Sequence, residues 1–252
     1  LSGDAAVVKY IEVDGVIQPA SSRYIQRALD EAIAAEAEAF LVYLDTPGGL
    51  LESTRDIIKA ILASDIPVIV YVAPSGSRAG SAGVFITLAA NIAAMAPGTN
   101  IGAAHPVSAG GKEINETMSA KVTNDMVAYI KSIAEERGRN AEWAEKAVRE
   151  SVSITETEAL QANVIDIVAK DLDDLVQQIN GRKVMDKGVL VLEQVVFKRL
   201  KESVRTKILK TISDPNIAYI LLMIGLAGLY FELSHPGAIF PGVIGGIATV
   251  LA

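Results

Sequence analysis

Ser81 stands where a serine could act as a nucleophile, between small residues at the predicted start of a helix. It falls in the segment SGSRAGSAG, residues 75–83, which follows an apolar strand. Free N–H groups at a helix N-terminus, and the positive end of the helix dipole, stabilise the oxyanion that forms when a hydroxyl attacks a carbonyl. Composition alone leaves a second interpretation open, in which Ser81 is an N-cap and the glycines serve tight packing.

A second strand-to-helix junction, DTPGG at residues 45–49, has the residue types of a tight turn. Pro47 fixes one backbone angle, while Gly48 and Gly49 allow geometries that other residues resist. Such a turn can point its N–H groups outward, as an oxyanion site requires.

A serine nucleophile needs a base, and the chain offers two candidates downstream of Ser81. His105 follows the strand after the Ser81 helix, and Lys121 begins a long helix. A lysine can accept a proton only if its surroundings leave it neutral part of the time. Asp125 lies one helical turn beyond Lys121, and an ionised carboxylate there would favour the protonated lysine. The residues alone leave both bases open.

Alternating strand and helix patterns must position these groups. Strands are predicted at 7–13, 40–44, 67–72, 92–96 and 164–169, and helices at 21–35 behind a Ser cap, 51–63, 81–90, 118–137, after an Asn140 cap, after a Thr155–Glu158 capping box, and from Asp171. This rhythm is typical of parallel strands joined by crossover helices. The α/β unit is predicted to end near Gly181.

Composition excludes several classes of chemistry. The 252 residues include no Cys, which excludes disulfides, iron–sulfur clusters, thiolate zinc sites and a Cys nucleophile, and two His leave little for a histidine metal site. No cofactor is expected. A net charge of -7 with 5% aromatic residues argues against nucleic acid as a partner. No GxxxxGK[ST] phosphate loop occurs, so no ATP site is expected.

The C-terminal part is predicted to lie in a membrane. Residues 217–233 are apolar apart from Glu232, and a second apolar segment follows a turn at 234–237 and breaks off within its pattern at Ala252. The alternative is a buried hairpin or an oligomer interface. The predicted organisation is a catalytic domain at 1–181, a linker with a basic amphipathic helix at 182–216, and transmembrane segments at 217–252. Leu1 is not a natural start residue, so we expect a leader before it.

Several separated motifs resemble the NfeD family of membrane-bound, ClpP-class serine proteases. They are TPGG at 46–49, SRAGSAG at 77–83, APGTNIGA at 96–103, YIKS at 129–132 and GRN at 138–140. The resemblance implies an α/β fold, a ClpP/crotonase-type spiral of ββα units. It also implies Ser81 as nucleophile, Lys121 as general base, and the amides of Gly49 and Ala82 as oxyanion hole. His105 falls close to where soluble ClpP proteases carry their catalytic histidine, so it remains an alternative base or a cleft residue.

The same resemblance implies a membrane-anchored, ATP-independent serine endopeptidase that forms homo-oligomers. Its expected substrate or partner is a stomatin-like membrane protein, cleaved in a hydrophobic segment. Two other classes stay open: a weakly catalytic scaffold for a stomatin-like assembly, and crotonase-type acyl-CoA chemistry on the same fold. The family implies a catalytic domain outside the cytoplasm in a multi-pass cell-membrane protein. The positive-inside tendency predicts the opposite, a catalytic domain in the cytoplasm, because six basic residues lie shortly before residue 217. They are Lys198, Arg199, Lys201, Arg205, Lys207 and Lys210.

Overall fold

A computed structural model of the chain describes residues 5–107, 116–202, 208, 211, 212, 215–235 and 239–252. Contacts between residues divide the chain into two units, Leu1–Lys201 and Glu202–Ala252. The elements of the first unit are, in chain order, β1 (Val7–Asp14), α1 (Pro19–Ala34), β2 (Ala39–Asp45), α2 (Leu51–Ala63), β3 (Val68–Val72), β4 (Arg78–Gly80), α3 (Ala82–Ala89), β5 (Ile92–Met95), β6 (Asn100–Gly102), α4 (Glu116–Glu136), α5 (Ala141–Arg149), β7 (Ser153–Thr155), α6 (Glu156–Gln161), β8 (Ile167–Val168), α7 (Leu172–Ile179), β9 (Lys183–Val184), β10 (Gly188–Val189) and β11 (Val196–Arg199).

Six of these strands form a parallel sheet in the order β11-β1-β2-β3-β5-β8. Parallel neighbours cannot be joined by tight hairpins, so helices and longer segments carry the chain back between successive strands. The predicted α/β architecture is therefore confirmed. Because all six strands run the same way, their carboxyl ends meet along one edge of the sheet, and the turns that follow β2 and β3 lie close together there.

Each face of the sheet is covered by apolar side chains. Neighbouring residues along β2 alternate between the two cores, with Leu41 in one and Val42 in the other. Side chains of α1 to α5 belong to the larger core. Side chains of α7, and three buried residues beyond it, belong to the second, namely Val184, Leu190 and Leu192. A strand buried on both faces reads as a continuous apolar run, as FLVYL does at residues 40–44.

The structure differs from the sequence prediction at the start of α1 and at β8. We predicted a Ser cap at 21, but α1 begins at Pro19 with Gln18 in the N-cap position. Proline suits the first position of a helix because its missing N–H would be unpaired there anyway. The Ser21 side chain is buried instead and donates to the carbonyl of Val16 at 3.1 Å. The last strand of the sheet is Ile167–Val168, much shorter than the predicted 164–169.

The first unit also extends past the predicted boundary at Gly181. β9 and β10 form a short antiparallel pair, and β11 adds to the sheet beside β1. The Tyr24 hydroxyl donates to the carbonyl of Leu200 at 2.9 Å, which fixes the end of this segment to α1. Strands of two to four residues are too short to show a period, so the sequence did not reveal them. Lys198 and Arg199, assigned to the basic linker helix, lie in β11; residues 203–207, 209, 210, 213 and 214 lie outside the described residues.

The second unit contains two apolar helices, α8 (Pro215–Ser234) and α9 (Ile239–Leu251). Residues 216–234 are long and apolar enough to cross a membrane, since twenty residues span about 30 Å. The two helices pack closely through small residues: a Cβ on Gly228 would lie 2.5 Å from the carbonyl oxygen of Pro241, and one on Gly245 would lie 2.8 Å from that of Gly225. Such contacts are typical of helix pairs in lipid. The turn was predicted at residues 234–237. Ser234 is the last residue of α8, and residues 236 and 237 lie outside the described residues.

These boundaries give a prediction about truncation. A chain ending after Lys201 should be soluble without detergent and cooperatively folded, because it retains every element of the first unit. A chain ending after Gly181 should unfold at a lower temperature, because it exposes the edge of β1 and loses the buried side chains of Leu190 and Leu192, worth about 1.5–3 kcal/mol each. Thermal unfolding of the two fragments tests this. Equal melting temperatures would contradict the extended boundary.

Candidate active site

The turn after β2 is bonded to the segment that leads into α3. Thr46 N–H donates to the carbonyl of Arg78 at 2.9 Å, and Gly80 N–H donates to the carbonyl of Thr46 at 2.9 Å. The Asp45 carboxylate accepts a further bond from Arg78 N–H at 3.0 Å. The two junctions that the sequence singled out are therefore brought together by backbone pairing.

Ser81 occupies the N-cap position of α3 but does not cap the helix. Its φ and ψ are 47° and -106°, and its side chain makes no capping hydrogen bond. A positive φ costs a non-glycine residue about 1–3 kcal/mol and persists only when the surroundings enforce it. Here Ser81 N–H donates to the carbonyl of Gly102, and Val84 N–H donates to the carbonyl of Ser81. The interpretation of Ser81 as a simple N-cap is therefore wrong, and its half-buried hydroxyl is left available for chemistry.

Gly48 packs directly against Ser81. Its φ is +129°, and a Cβ at this position would lie 2.6 Å from the Ser81 Cβ and 3.1 Å from Oγ. The Gly48 N–H donates to Thr46 Oγ1 at 3.1 Å, and the same hydroxyl donates back to the Gly48 carbonyl. Only glycine combines this backbone angle with this contact. The turn is thus held against the serine by a buried threonine.

Two backbone amides near Ser81 are free to meet an oxyanion. The Gly48 amide is taken by Thr46, whereas that of Gly49 has no protein acceptor among the described residues; nor has that of Ala82, at the first position of α3. The nitrogen of Ala82 lies 3.6 Å from the point that a Cβ on Gly48 would occupy. Gly49 is itself fixed by the pairing of its neighbours with Ile17, at 2.8 Å on each side. These are the two amides that the sequence resemblance implied.

A cleft of about 500 Å³ opens in front of Ser81. Both junctions line it, together with residues of α2, α3 and α4 and the loop after β6. The larger apolar side chains in its lining are Leu50, Leu51, Phe85, Val107, Val122 and Met126. A cavity with a few polar groups among apolar side chains is typical of a binding site for an apolar ligand segment.

His105 lines this cleft, but it is tied to α5. Its Nδ1 lies 2.9 Å from the carbonyl oxygen of Val148. Because a carbonyl oxygen only accepts, Nδ1 carries the proton in this arrangement, and Nε2 of the neutral ring is left as an acceptor. His105 can therefore offer one acceptor to the cleft, as an alternative base or a substrate ligand would.

Lys121 lies at the rim of the cleft rather than in its lining. It is exposed on α4, one residue before Val122, which lines the cleft together with Met126. No hydrogen bond joins Lys121 to Ser81 among the described residues. The structure therefore brings Ser81, Gly49, Ala82 and His105 to one cleft and places Lys121 beside it.

The opposite end of α3 is satisfied by a buried arginine. Arg139 is 6% exposed and donates to the carbonyls of Leu88 and Ala90 at 2.7 and 2.8 Å, and to Asp166 at 2.6 Å. A cation at a helix C-terminus interacts favourably with the helix dipole and satisfies carbonyls that have no helical partner. Arg139 belongs to the GRN motif at 138–140, but sequence reasoning gave it no role, because its partners lie 27 to 51 positions away along the chain.

Ionic contacts join α4 to α5 beyond the cleft. The Lys131 ammonium donates to the Glu145 carboxylate at 2.7 Å, and Arg149 donates to the other oxygen of the same carboxylate. These hydrogen bonds, from Lys131 first and Arg149 second, lower the pKa of Glu145. The bond to Glu145 raises the pKa of Lys131. Both groups are therefore charged near neutral pH and hold the two helices together.

Comparison with solved structures identifies the fold of this unit. A structure described as the 1510-N membrane-bound stomatin-specific protease, a lysine-to-alanine mutant in complex with a substrate peptide, is 37% identical with a TM-score of 0.76, covering 83% of this chain and 99% of that one. ClpP1 from Listeria monocytogenes matches with a TM-score of 0.54 at 18% identity, over 66% of this chain and 94% of that one. At that identity the second match speaks for the fold alone. The first unit thus has a ClpP-like fold.

Sequence comparison gives the family. Residues 7–183 match the NfeD1b N-terminal domain, and residues 216–252 match the NfeD integral membrane domain. The chain belongs to the NfeD family. It is 38% identical over 98% of its length to the membrane-bound protease PH1510 of Pyrococcus horikoshii, and 29% identical over 97% to the membrane protein NfeD1b of Bacillus subtilis. It spans 57% and 55% of those two proteins.

The contact between Gly48 and Ser81 gives a prediction. If Ser81 is a nucleophile, Gly48→Ala should lower its reaction with a peptide on the order of 100-fold, because the new Cβ displaces the serine from the neighbouring amides. Gly138→Ala is the matched control, since Gly138 also has a positive φ but no atom lies within 4 Å of its added Cβ. Cleavage rates and melting temperatures of both variants should be measured. Equal activity of the two would show that the contact with Ser81 is unimportant.

Proposed function

We propose that the chain is a membrane-anchored, ATP-independent serine endopeptidase with Ser81 as its nucleophile. The observation that carries the proposal is the backbone of Ser81, which is held at a positive φ with its hydroxyl uncommitted at the mouth of an apolar cleft. Such conformations concentrate at functional sites, where surrounding structure compensates their cost. The similarity to proteins named as proteases supports the proposal that the chain is an endopeptidase.

In the proposed reaction, Ser81 Oγ attacks the carbonyl carbon of a peptide bond while Lys121 accepts the hydroxyl proton. The carbonyl oxygen becomes an oxyanion that the N–H groups of Gly49 and Ala82 stabilise. As this intermediate collapses, the proton passes to the leaving amine and an acyl-serine remains. A water molecule then attacks the acyl-serine with the same lysine as base, which releases the acid and restores the hydroxyl.

The assignment of Lys121 requires its amino group to come within hydrogen-bonding distance of Ser81 when a substrate binds. Its side chain is exposed beside the cleft, and catalytic hydrogen bonds often form only in the complex with substrate. The relative solved with a substrate peptide carries a lysine-to-alanine mutation, which supports a lysine in the catalytic machinery. His105 is the competing base, because it already lines the cleft with Nε2 free of protein partners among the described residues.

The proposed substrate is an apolar segment of a membrane-associated protein such as a stomatin-like protein. The cleft lining is mostly apolar, and the second unit would keep the enzyme at the bilayer where such segments occur. The solved relative is described as specific for stomatin. We further propose that the protein is multi-pass and homo-oligomeric, with its catalytic unit outside the cytoplasm.

A weakly catalytic scaffold for a stomatin-like assembly is the alternative function. Labelling with a fluorophosphonate, which reacts only with an activated serine, separates the two. The purified chain in detergent should be labelled, and Ser81→Ala should lose both the label and peptide cleavage while keeping its melting temperature. Cleavage retained by Ser81→Ala would end the protease proposal for this site.

Three variants identify the base. If Lys121 accepts the proton, activity should rise with pH as its ammonium is deprotonated, and Lys121→Ala should lose about 100- to 10,000-fold in kcat/KM. Lys121→Arg should be as inactive, because it keeps the charge and cannot release a proton at accessible pH. His105→Ala should cost far less. An active Lys121→Arg together with an inactive His105→Ala would show a serine–histidine arrangement instead.

A further inference from the structure

Arg55 links α2 to α4 beside the cleft. Its guanidinium forms an ion pair with the Asp125 carboxylate, and it lies over the ring of Tyr129 with 4.4 Å between Cζ and the ring centroid. Both partners are on α4, one helical turn apart. The Arg55 side chain is 25% exposed, whereas that of Asp125 is 65% exposed. The contact with the Tyr129 ring stabilises the position of Arg55, which in turn binds a largely solvated carboxylate.

Asp125 lies on the same face of α4 as Lys121. Residues four apart on a helix have Cβ atoms about 5–6 Å apart, and a carboxylate at that distance stabilises a lysine ammonium. A general base must release its proton before the reaction, so an unpaired Asp125 would oppose the role proposed for Lys121. In the structure the carboxylate is bonded to Arg55 instead.

Two other ionisable side chains near this part of α4, those of Arg149 and His105, already form hydrogen bonds to other groups. Arg149 of α5 donates to Asn124 at 2.9 Å and to Glu145, and His105 is bonded to Val148. The helix α3 has no charged residue. On α2, Glu52 lies one turn before Arg55 and makes no ion pair with α4 in the described part of the chain. Asp125 is thus a carboxylate one helical turn from Lys121 on the described part of α4, and Arg55 is its counterion.

Arg55 also bears on where α4 lies. α2 follows directly after the turn that holds Gly48 and Gly49, and its residues Leu51 and Thr54 line the cleft. On α4, Val122 and Met126 line the opposing side. Arg55 therefore bonds together two helices that both line the cleft.

We propose that Arg55 is a positioning residue for Lys121. It withdraws the Asp125 carboxylate from the lysine and holds α4 against α2, so that Lys121 can lose its proton at the rim of the cleft. This inference rests on the proposed function, in which Lys121 is the base.

The test is the pH dependence of kcat/KM for peptide cleavage, measured on the whole chain in detergent. Arg55→Gln frees the carboxylate, so the rise of activity with pH should move about half a pH unit upward, as expected for opposite charges one helical turn apart near a surface. Arg55→Lys keeps the cation and should leave the profile in place. The double variant Arg55→Gln/Asp125→Asn should return the profile to that of the wild type, because the freed charge is gone.

A purely structural role for Arg55 gives a different result. Activity of Arg55→Gln would then fall equally at every pH, and the added Asp125→Asn change would restore nothing. That outcome, with Lys121→Arg inactive, would overturn the inference and leave the proposed function standing. An active Lys121→Arg would overturn the inference together with the assignment of Lys121 as base, whereas loss of labelling in Ser81→Ala tests the protease proposal separately. Asp125→Asn alone removes the carboxylate and leaves the Arg55 cation, so its rise of activity with pH should lie at or below that of the wild type, and a rise at higher pH would contradict the inference; it serves as a folded variant if Arg55→Gln is unstable.

Discussion

The close approach of two backbone turns is the constraint on which the rest of the site depends. Gly48 lies so near Ser81 that a single added carbon would collide with the serine. That contact needs a turn with no side chain, a serine at a positive φ, and backbone pairing between Thr46 and the residues before α3. The parallel sheet supplies the position, because the turns after β2 and β3 leave it along the same edge.

The helix that begins at Ser81 is shaped by the same constraint. α3 is buried along its whole length, so the backbone groups at its two ends, which have no helical partner, depend on other parts of the protein for hydrogen bonds. At the C-terminal end, Arg139 donates the hydrogen bonds that water would supply to an exposed helix. Its guanidinium is paired with the Asp166 carboxylate. The amide end is the one left unpaired, and it faces the cleft. The hydrogen-bonding capacity that the buried helix keeps unused is therefore located beside Ser81.

Long apolar runs and small-residue junctions allowed much of this to be predicted from sequence. The five strands at 7–13, 40–44, 67–72, 92–96 and 164–169 were found because buried parallel strands read as continuous runs, although β8 proved shorter. β4, β6 and β7 were missed, since three residues carry no period and their pairing is decided by tertiary contacts. Ser81 was found from its neighbours. Lys121 was one of two candidate bases in the sequence, and family resemblance alone favoured it over His105. The roles of Thr46, Gly102 and Arg55 came only from contacts between distant segments.

The position of β11 has a mechanical consequence. This strand pairs with β1 over four residues, and the chain leads from it toward the apolar helices. Any tension transmitted along the chain from a membrane therefore reaches the first unit at β11, before α7 or the strands that carry the serine. The hydrogen bond from Tyr24 to the Leu200 carbonyl lies at the end of β11 where that tension arrives. A pull on the tail is therefore borne first by an edge strand, which β1 separates from β2 and the turn that holds Gly48.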